Sequence, residues 1–144
     1  MRQRREKYKM SKELIKADAT NNSLTFGDHS LDVKSKVEDF AFGGDLYKVK
    51  TFKEITKLEK NGLFVYESVP GSTVSDFATT ADGVTFGVEA DADIQITLEL
   101  EPETEYDVVI AGEDAGVMKT NLSGKMTISV DPDGTKADIA VSRK

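Results

Sequence analysis

The chain contains no cysteine and no tryptophan, a single histidine and three prolines. Without cysteine there is no disulfide framework, no thiolate zinc site and no thiol nucleophile. With His29 as the only imidazole, a metal centre built on several histidines is excluded by count. Tryptophan, the commonest stacking platform for sugars, is missing. No apolar run approaches the roughly 20 residues that a membrane-spanning helix needs. The first ten residues, Met1-Arg-Gln-Arg-Arg-Glu-Lys-Tyr-Lys-Met10, lack the apolar centre of a secretory signal, so a cytoplasmic location is expected.

What is present favours strands. Thirteen valines, seven isoleucines and thirteen threonines outnumber nine leucines and eleven alanines. β-branched residues suit a pleated, half-buried surface. Glycine-, asparagine- or proline-containing turn signals recur about every 8–12 residues, the spacing of a sandwich or barrel. The clearest are Gly43-Gly44-Asp45, Asn61-Gly62, Ala81-Asp82-Gly83, Ser123-Gly124 and Asp131-Pro-Asp-Gly134. Between them lie some ten to twelve short segments. Leu46–Phe52 places Tyr47, Val49 and Thr51 on one face. Met126, Ile128 and Val130 alternate with Thr127, Ser129 and Asp131, and Ala137, Ile139 and Val141 mark the last strand. Leu31 and Val33 alternate with Asp32 and Lys34 and read as strand. Residues 11–20 read as a short helix or a lead-in strand. Lys53–Lys60 fits helix or strand, and the hairpin after it favours strand. Leu63–Val69 is almost continuously apolar and is expected to be central and covered on both faces.

The strongest local pattern is Leu98-Glu-Leu-Glu-Pro-Glu-Thr-Glu-Tyr-Asp-Val-Val-Ile110. Ile94, Ile96, Leu98 and Leu100 alternate with polar residues, and Pro102, which has no N–H for a ladder, stops the strand. Tyr106, Val108 and Ile110 restart the alternation. The spacing of Leu100, Pro102, Thr104, Tyr106 and Val108 resembles the E–F corner of an immunoglobulin or fibronectin type III sandwich, in which a tyrosine hydroxyl bonds back to upstream backbone. Tyr106 is therefore expected to be buried with its hydroxyl on backbone near residues 101–103, and Glu99 and Glu101 to face water.

The expected fold is all-β: a C-terminal sandwich over residues 73–144, an N-terminal β-meander over 17–72, and a basic flexible tail over 1–16. Pro70-Gly71-Ser72 is the candidate boundary, and whether the two regions form one domain or two is left open. The tail has an alternative reading, an upstream extension of a frame that begins at Met10. Charge is uneven: the formal net charge is −7, although the first sixteen residues are strongly basic. An acidic body disfavours nucleic acid and an anionic membrane surface as partners.

Each constellation with chemical potential has a plainer reading. A triad would set His29 beside a nucleophile and a carboxylate; His29 adjoins the turn Gly27-Asp28 and reads as a surface residue. Glu99, Glu101, Glu103, Glu105 and Asp107 form a carboxylate ladder at strand spacing. On a solvated face such acids keep ordinary pKa values and lack the desolvation of an acid catalyst. Asp131, Asp133 and Asp138 around Gly134 do not meet the spacing of an EF-hand calcium loop. Phe42-Gly-Gly-Asp45 is not followed by the Gly-Lys-Ser/Thr of a phosphate loop. No catalytic, cofactor-binding or metal-ligating residue is assigned, and no cofactor is expected.

Four stretches carry a wider resemblance: Gly44–Gly62; Phe64–Gly71; Ile96–Leu100 with Thr104–Tyr106; and Met118–Lys125. Together they resemble a family of short bacterial proteins that go by the name endosialidase or endosialidase-like, over about Met10 to Val141. The name would imply an arginine- and carboxylate-lined propeller site. No residue here maps onto one, so none is carried over. The expected function is a non-enzymatic binding or assembly module, with self-association, another protein or a glycan as partner. The alternatives are a carbohydrate-binding or carbohydrate-active protein, for which Tyr47 or Tyr66 beside two desolvated carboxylates would be the signature, and a phage-derived structural protein.

Overall fold

Period-two alternation becomes thirteen strands, and no helix, over the described residues of a computed structural model, residues 13–144. They are β1 (Ile15–Asp18), β2 (Ser23–Phe26), β3 (Ser35–Phe42), β4 (Asp45–Phe52), β5 (Ile55–Lys60), β6 (Leu63–Val69) and β7 (Thr73–Thr80). There follow β8 (Gly83–Glu89), β9 (Ile94–Glu99), β10 (Glu105–Ile110), β11 (Glu113–Lys119), β12 (Lys125–Val130) and β13 (Ala137–Arg143). A seven-stranded sheet runs β1-β2-β7-β8-β13-β10-β11 and a six-stranded sheet runs β12-β9-β6-β5-β4-β3. All pairings are antiparallel. The chain is an all-β sandwich.

The sheets close on one apolar core. At its centre Phe26, Tyr66, Phe77 and Phe86 meet largely edge to face, with Phe26 and Tyr66 centroids 5.3 Å apart at 81°. Such geometry sets ring edges against ring faces and is worth about 0.5–1.5 kcal/mol per pair beyond area burial. Ile94, Ile96 and Leu98 of β9 and Met126, Ile128 and Val130 of β12 extend the core from the six-stranded sheet. Val84, Phe86, Val88, Ile139 and Val141 meet them from β8 and β13.

The corner behaves as its spacing predicts. β9 belongs to one sheet and β10 to the other, so residues 100–104 carry the crossing. Tyr106 is 2% exposed, and its hydroxyl accepts the Glu101 N–H at 3.1 Å. Glu99 and Glu101 are exposed. Thr120, just after β11, braces the corner: its hydroxyl donates to the Glu101 carbonyl at 2.5 Å and accepts the Thr104 N–H at 2.9 Å.

Several expectations need correction. The sandwich is not confined to 73–144. β1 pairs with β2 and β2 with β7 in one sheet, and β6 pairs with β9 in the other, so each sheet draws on both regions. Pro70-Gly71-Ser72 is consequently a crossing between sheets, not a boundary between domains. It is tightly held: Ser72 is fully buried, and a Cβ on Gly71 would run into the Phe52 carbonyl oxygen. The stretch assigned to a flexible tail overlaps structure, because Ile15 starts β1 and is buried; residues 1–12 lie outside the described residues. Residues 31–34 are not strand, and Val33 is 75% exposed. Leu63–Val69 is central in its sheet, yet only Tyr66 and Ser68 are buried. A sandwich has a single layer on each side of its core, so its central strands keep one wet face.

Candidate functional site

Residues of four hairpin turns, Asn22, Gly43, Asn61 and Ala81, line one groove of the sandwich. Its first part is a cleft of about 340 Å³ reached by Asn22, Phe42, Asp45, Tyr47, Lys60, Val65 and Thr79. Its second, about 400 Å³, shares Lys60, Val65, Thr79 and Glu99 with the first and continues past Leu63 and Ala81 to Tyr106. The two therefore form one continuous depression running from the tip of β3 to the β9–β10 corner.

Local chemistry builds the cleft wall. Asn61 and Gly62 both take positive φ, 52° and 80°, the pair of angles that a two-residue hairpin requires. That turn aims the Asn61 side chain at β4. Its Oδ1 accepts the Leu46 N–H at 2.9 Å, and its amide donates to Asp45 Oδ1 at 2.8 Å. Lys60 Nζ lies 3.5 Å from Asp45 Oδ2. The Asn61 hydrogen bond, helped by Lys60, holds the Asp45 carboxyl below its ordinary range. Beside it, burial holds the Tyr47 phenol above its ordinary range. The cleft thus offers a half-buried aromatic ring next to an ionised acid, a lysine and an amide. Glu99 borders the same groove, with its carboxylate engaged by Lys125 at 3.0 Å.

Of Tyr47 and Tyr66, either of which would mark the alternative carbohydrate site, only Tyr47 lines this groove. Tyr66 is fully buried, and its hydroxyl bonds Ser72 Oγ at 2.8 Å. Burial pushes the Tyr66 phenol far above its ordinary range. It belongs to a hydroxyl network that the alternation pattern did not reveal. Ser68 Oγ meets Ser72 Oγ at 2.6 Å, Thr56 Oγ1 donates to the Ser72 carbonyl at 2.8 Å, and Thr51 and Thr56 hydroxyls meet at 2.7 Å. Thr51, Thr56, Ser68 and Ser72 are all fully buried. The only signal in the sequence was the number of hydroxyl residues at inward positions of β4, β5 and β6.

His29 is not a free surface residue. Its Nδ1 lies 2.7 Å from Thr73 Oγ1, and its Nε2 lies 3.4 Å from an Asp91 oxygen. A hydroxyl, an imidazole and a carboxylate in line have the order of a nucleophilic triad. Two features turn it into a clasp. Thr73 Oγ1 already accepts the His29 backbone N–H at 3.3 Å, which ties the hydroxyl to the turn it holds. Asp91 is 85% exposed, whereas an orienting acid works from a dry, fixed position.

Comparison with protein-family models, with curated proteins and with solved structures finds no match to this chain.

The carboxylate ladder does not survive the corner. Glu99 ends one sheet, Glu105 and Asp107 belong to the other, and Glu103 sits between them at φ 49°. All five acids are exposed, but no single face carries them all. In the 131–134 turn, Asp131 Oδ1 accepts the Asp133 N–H at 3.0 Å, and Asp138 stands apart on β13 opposite Gly87. Asp131 instead faces Asp93, whose carboxyl its charge holds above the ordinary range. Among the described residues no three histidine or acidic side chains gather as a metal cluster. The glycines of Gly43-Gly44-Asp45 form the β3–β4 hairpin with φ of 62° and 85°. No helix among the described residues is long and apolar enough to cross a membrane.

Proposed function

We propose that this protein is a non-enzymatic binding and assembly module whose ligand site is the groove around Tyr47. The observation that carries this is the cleft wall itself: one aromatic ring beside an acceptor and a donor, each held in place by the Asn61 turn. Fixed polar groups around an apolar surface give orientation and specificity to a small-ligand site.

The same wall favours a carbohydrate over other small ligands. A sugar ring presents an apolar face to an aromatic side chain and hydroxyls to neighbouring acids, amides and lysines. A two-carboxylate hydrolase fits less well, because its proton donor needs a raised pKa and the Asp45 carboxyl is shifted the other way. The resemblance to endosialidase-like proteins adds a family expectation and no catalytic residue. A glycan array followed by calorimetry tests the reading. We expect a glycan to bind, and Tyr47→Ala to weaken binding at least about tenfold, roughly 1.4 kcal/mol, with unchanged circular dichroism. Turnover of the glycan, or binding indifferent to Tyr47, would refute it.

A further inference from the structure

A sheet edge offers unpaired N–H and C=O groups to any other strand, and proteins usually blunt such edges. Three of the four edges here are blunted. β1 is four residues long. β3 is interrupted between Val37 and Phe40, with Asp39 at φ 58°. β11 carries a bulge at Ala115, between the pairs Val108–Gly116 and Val109–Asp114. β12 has no such device: its six residues pair with β9 without a register shift, and none between Lys125 and Asp131 is charged, proline or glycine.

The free side of β12 can be read from its first residue. The Lys125 N–H donates to Asn121 Oδ1 at 2.9 Å, and the Lys125 carbonyl accepts the Asn121 N–H at 3.0 Å. Lys125 therefore turns its backbone groups away from β9. Backbone direction alternates along a strand, so Thr127 and Ser129 turn theirs the same way. They make no hydrogen bond to a described residue there.

We propose that β12 pairs antiparallel with β12 of a second copy, about a two-fold axis at Ile128, joining two six-stranded sheets into one of twelve. Self-complementarity singles out this partner. An axis at Ile128 sets Thr127 opposite Ser129 of the second copy, the two residues with outward backbone groups. It sets Met126 opposite Val130 and Lys125 opposite Asp131. Antiparallel pairing therefore opposes unlike charges, where parallel pairing in register would oppose like ones. Asp131 also stands beside Asp93, an acidic pair toward which the partner's Lys125, 3.0 Å from its own Glu99, brings positive charge. Leu122, in the turn leading into β12, is 79% exposed and flanks the same edge.

This specifies the assembly part of the reading above and does not depend on the Tyr47 groove, since Tyr47→Ala leaves β12 untouched. The test is light scattering on the full chain. A mass twice 15.8 kDa is expected. Thr127→Pro removes an N–H that β9 does not use, and proline is tolerated on a free edge; this variant is expected to run at half the wild-type mass with the same circular dichroism. A monomeric wild type, or a Thr127→Pro variant that stays dimeric, overturns the proposal. Should the variant not fold, hydrogen exchange of the wild type decides. Protection of the Thr127 and Ser129 amides that rises with concentration supports it, and fast exchange at every concentration overturns it.

Discussion

Single residues hold this fold at two places where the sheets exchange the chain. At the β9–β10 crossing the clamp is Tyr106, and its spacing from Leu100 and Pro102 made it recognisable. At the β6–β7 crossing it is Ser72, which has no such signature. Ser72 Oγ serves both Tyr66 and Ser68, at 2.8 and 2.6 Å. Removing it leaves two buried hydroxyls short of a partner in a dry interior. Each unsatisfied buried polar group costs about 1–3 kcal/mol, and networks lose more than their pairwise sum. Ser72→Ala is therefore expected to destabilise the protein by about 2–3 kcal/mol, read as a lower denaturation midpoint in urea with an unchanged slope. A loss below about 0.5 kcal/mol would mean that the hydroxyls find other partners and the network is incidental.

Elements follow from local chemistry wherever a turn residue matches the angles it must adopt. The β5–β6 hairpin uses Asn61-Gly62 at φ 52° and 80°; the β10–β11 hairpin uses Ala111-Gly112 at φ 53° and 81°. The geometry is the same, but alanine lacks asparagine's tolerance of the left-handed region, where a Cβ crowds the carbonyl at a cost of roughly 1–2 kcal/mol. Ala111→Asn is expected to stabilise the protein by about 0.5–1 kcal/mol, measured as a higher denaturant midpoint. This explains a difference in legibility. Asn61-Gly62 reads as a turn directly from the sequence, whereas Ala111-Gly112, with alanine at the left-handed position, carries no such signal. In the structure only residues 111–112 turn, and β11 starts at Glu113. The carboxylate ladder failed for a related reason: even spacing along the chain does not keep residues on one face once the chain changes sheets.

At the scale of the whole molecule, the sandwich is interleaved. β2 pairs with β7 in one sheet and β6 with β9 in the other, so neither residues 17–72 nor residues 73–144 contain a complete sheet pair. Phe26 and Tyr66 from the first region pack on Phe77 and Phe86 from the second. Each region alone would expose half of that core, and a half-core cannot offset the ordering entropy of its chain. The fragments 17–72 and 73–144 are expected to be unfolded separately by circular dichroism and near-ultraviolet spectra. The intact chain is expected to unfold in one transition with coincident probes. Two resolved transitions, or a folded 73–144 fragment, would instead favour two domains.

Strand content, most turns, the buried alternation of β9, β12 and β13 and the Tyr106 corner were determined by the sequence itself, because each depends on side chains within a few residues of one another. The tertiary structure decided which strands are neighbours, that Pro70-Gly71-Ser72 crosses between sheets, that Tyr66 is sealed while Tyr47 lines a groove, and that β12 is the unblunted edge. These depend on pairings between residues tens of positions apart. A period-two pattern says which side of a strand is apolar; it does not say which strand lies beside it or which edge is left open.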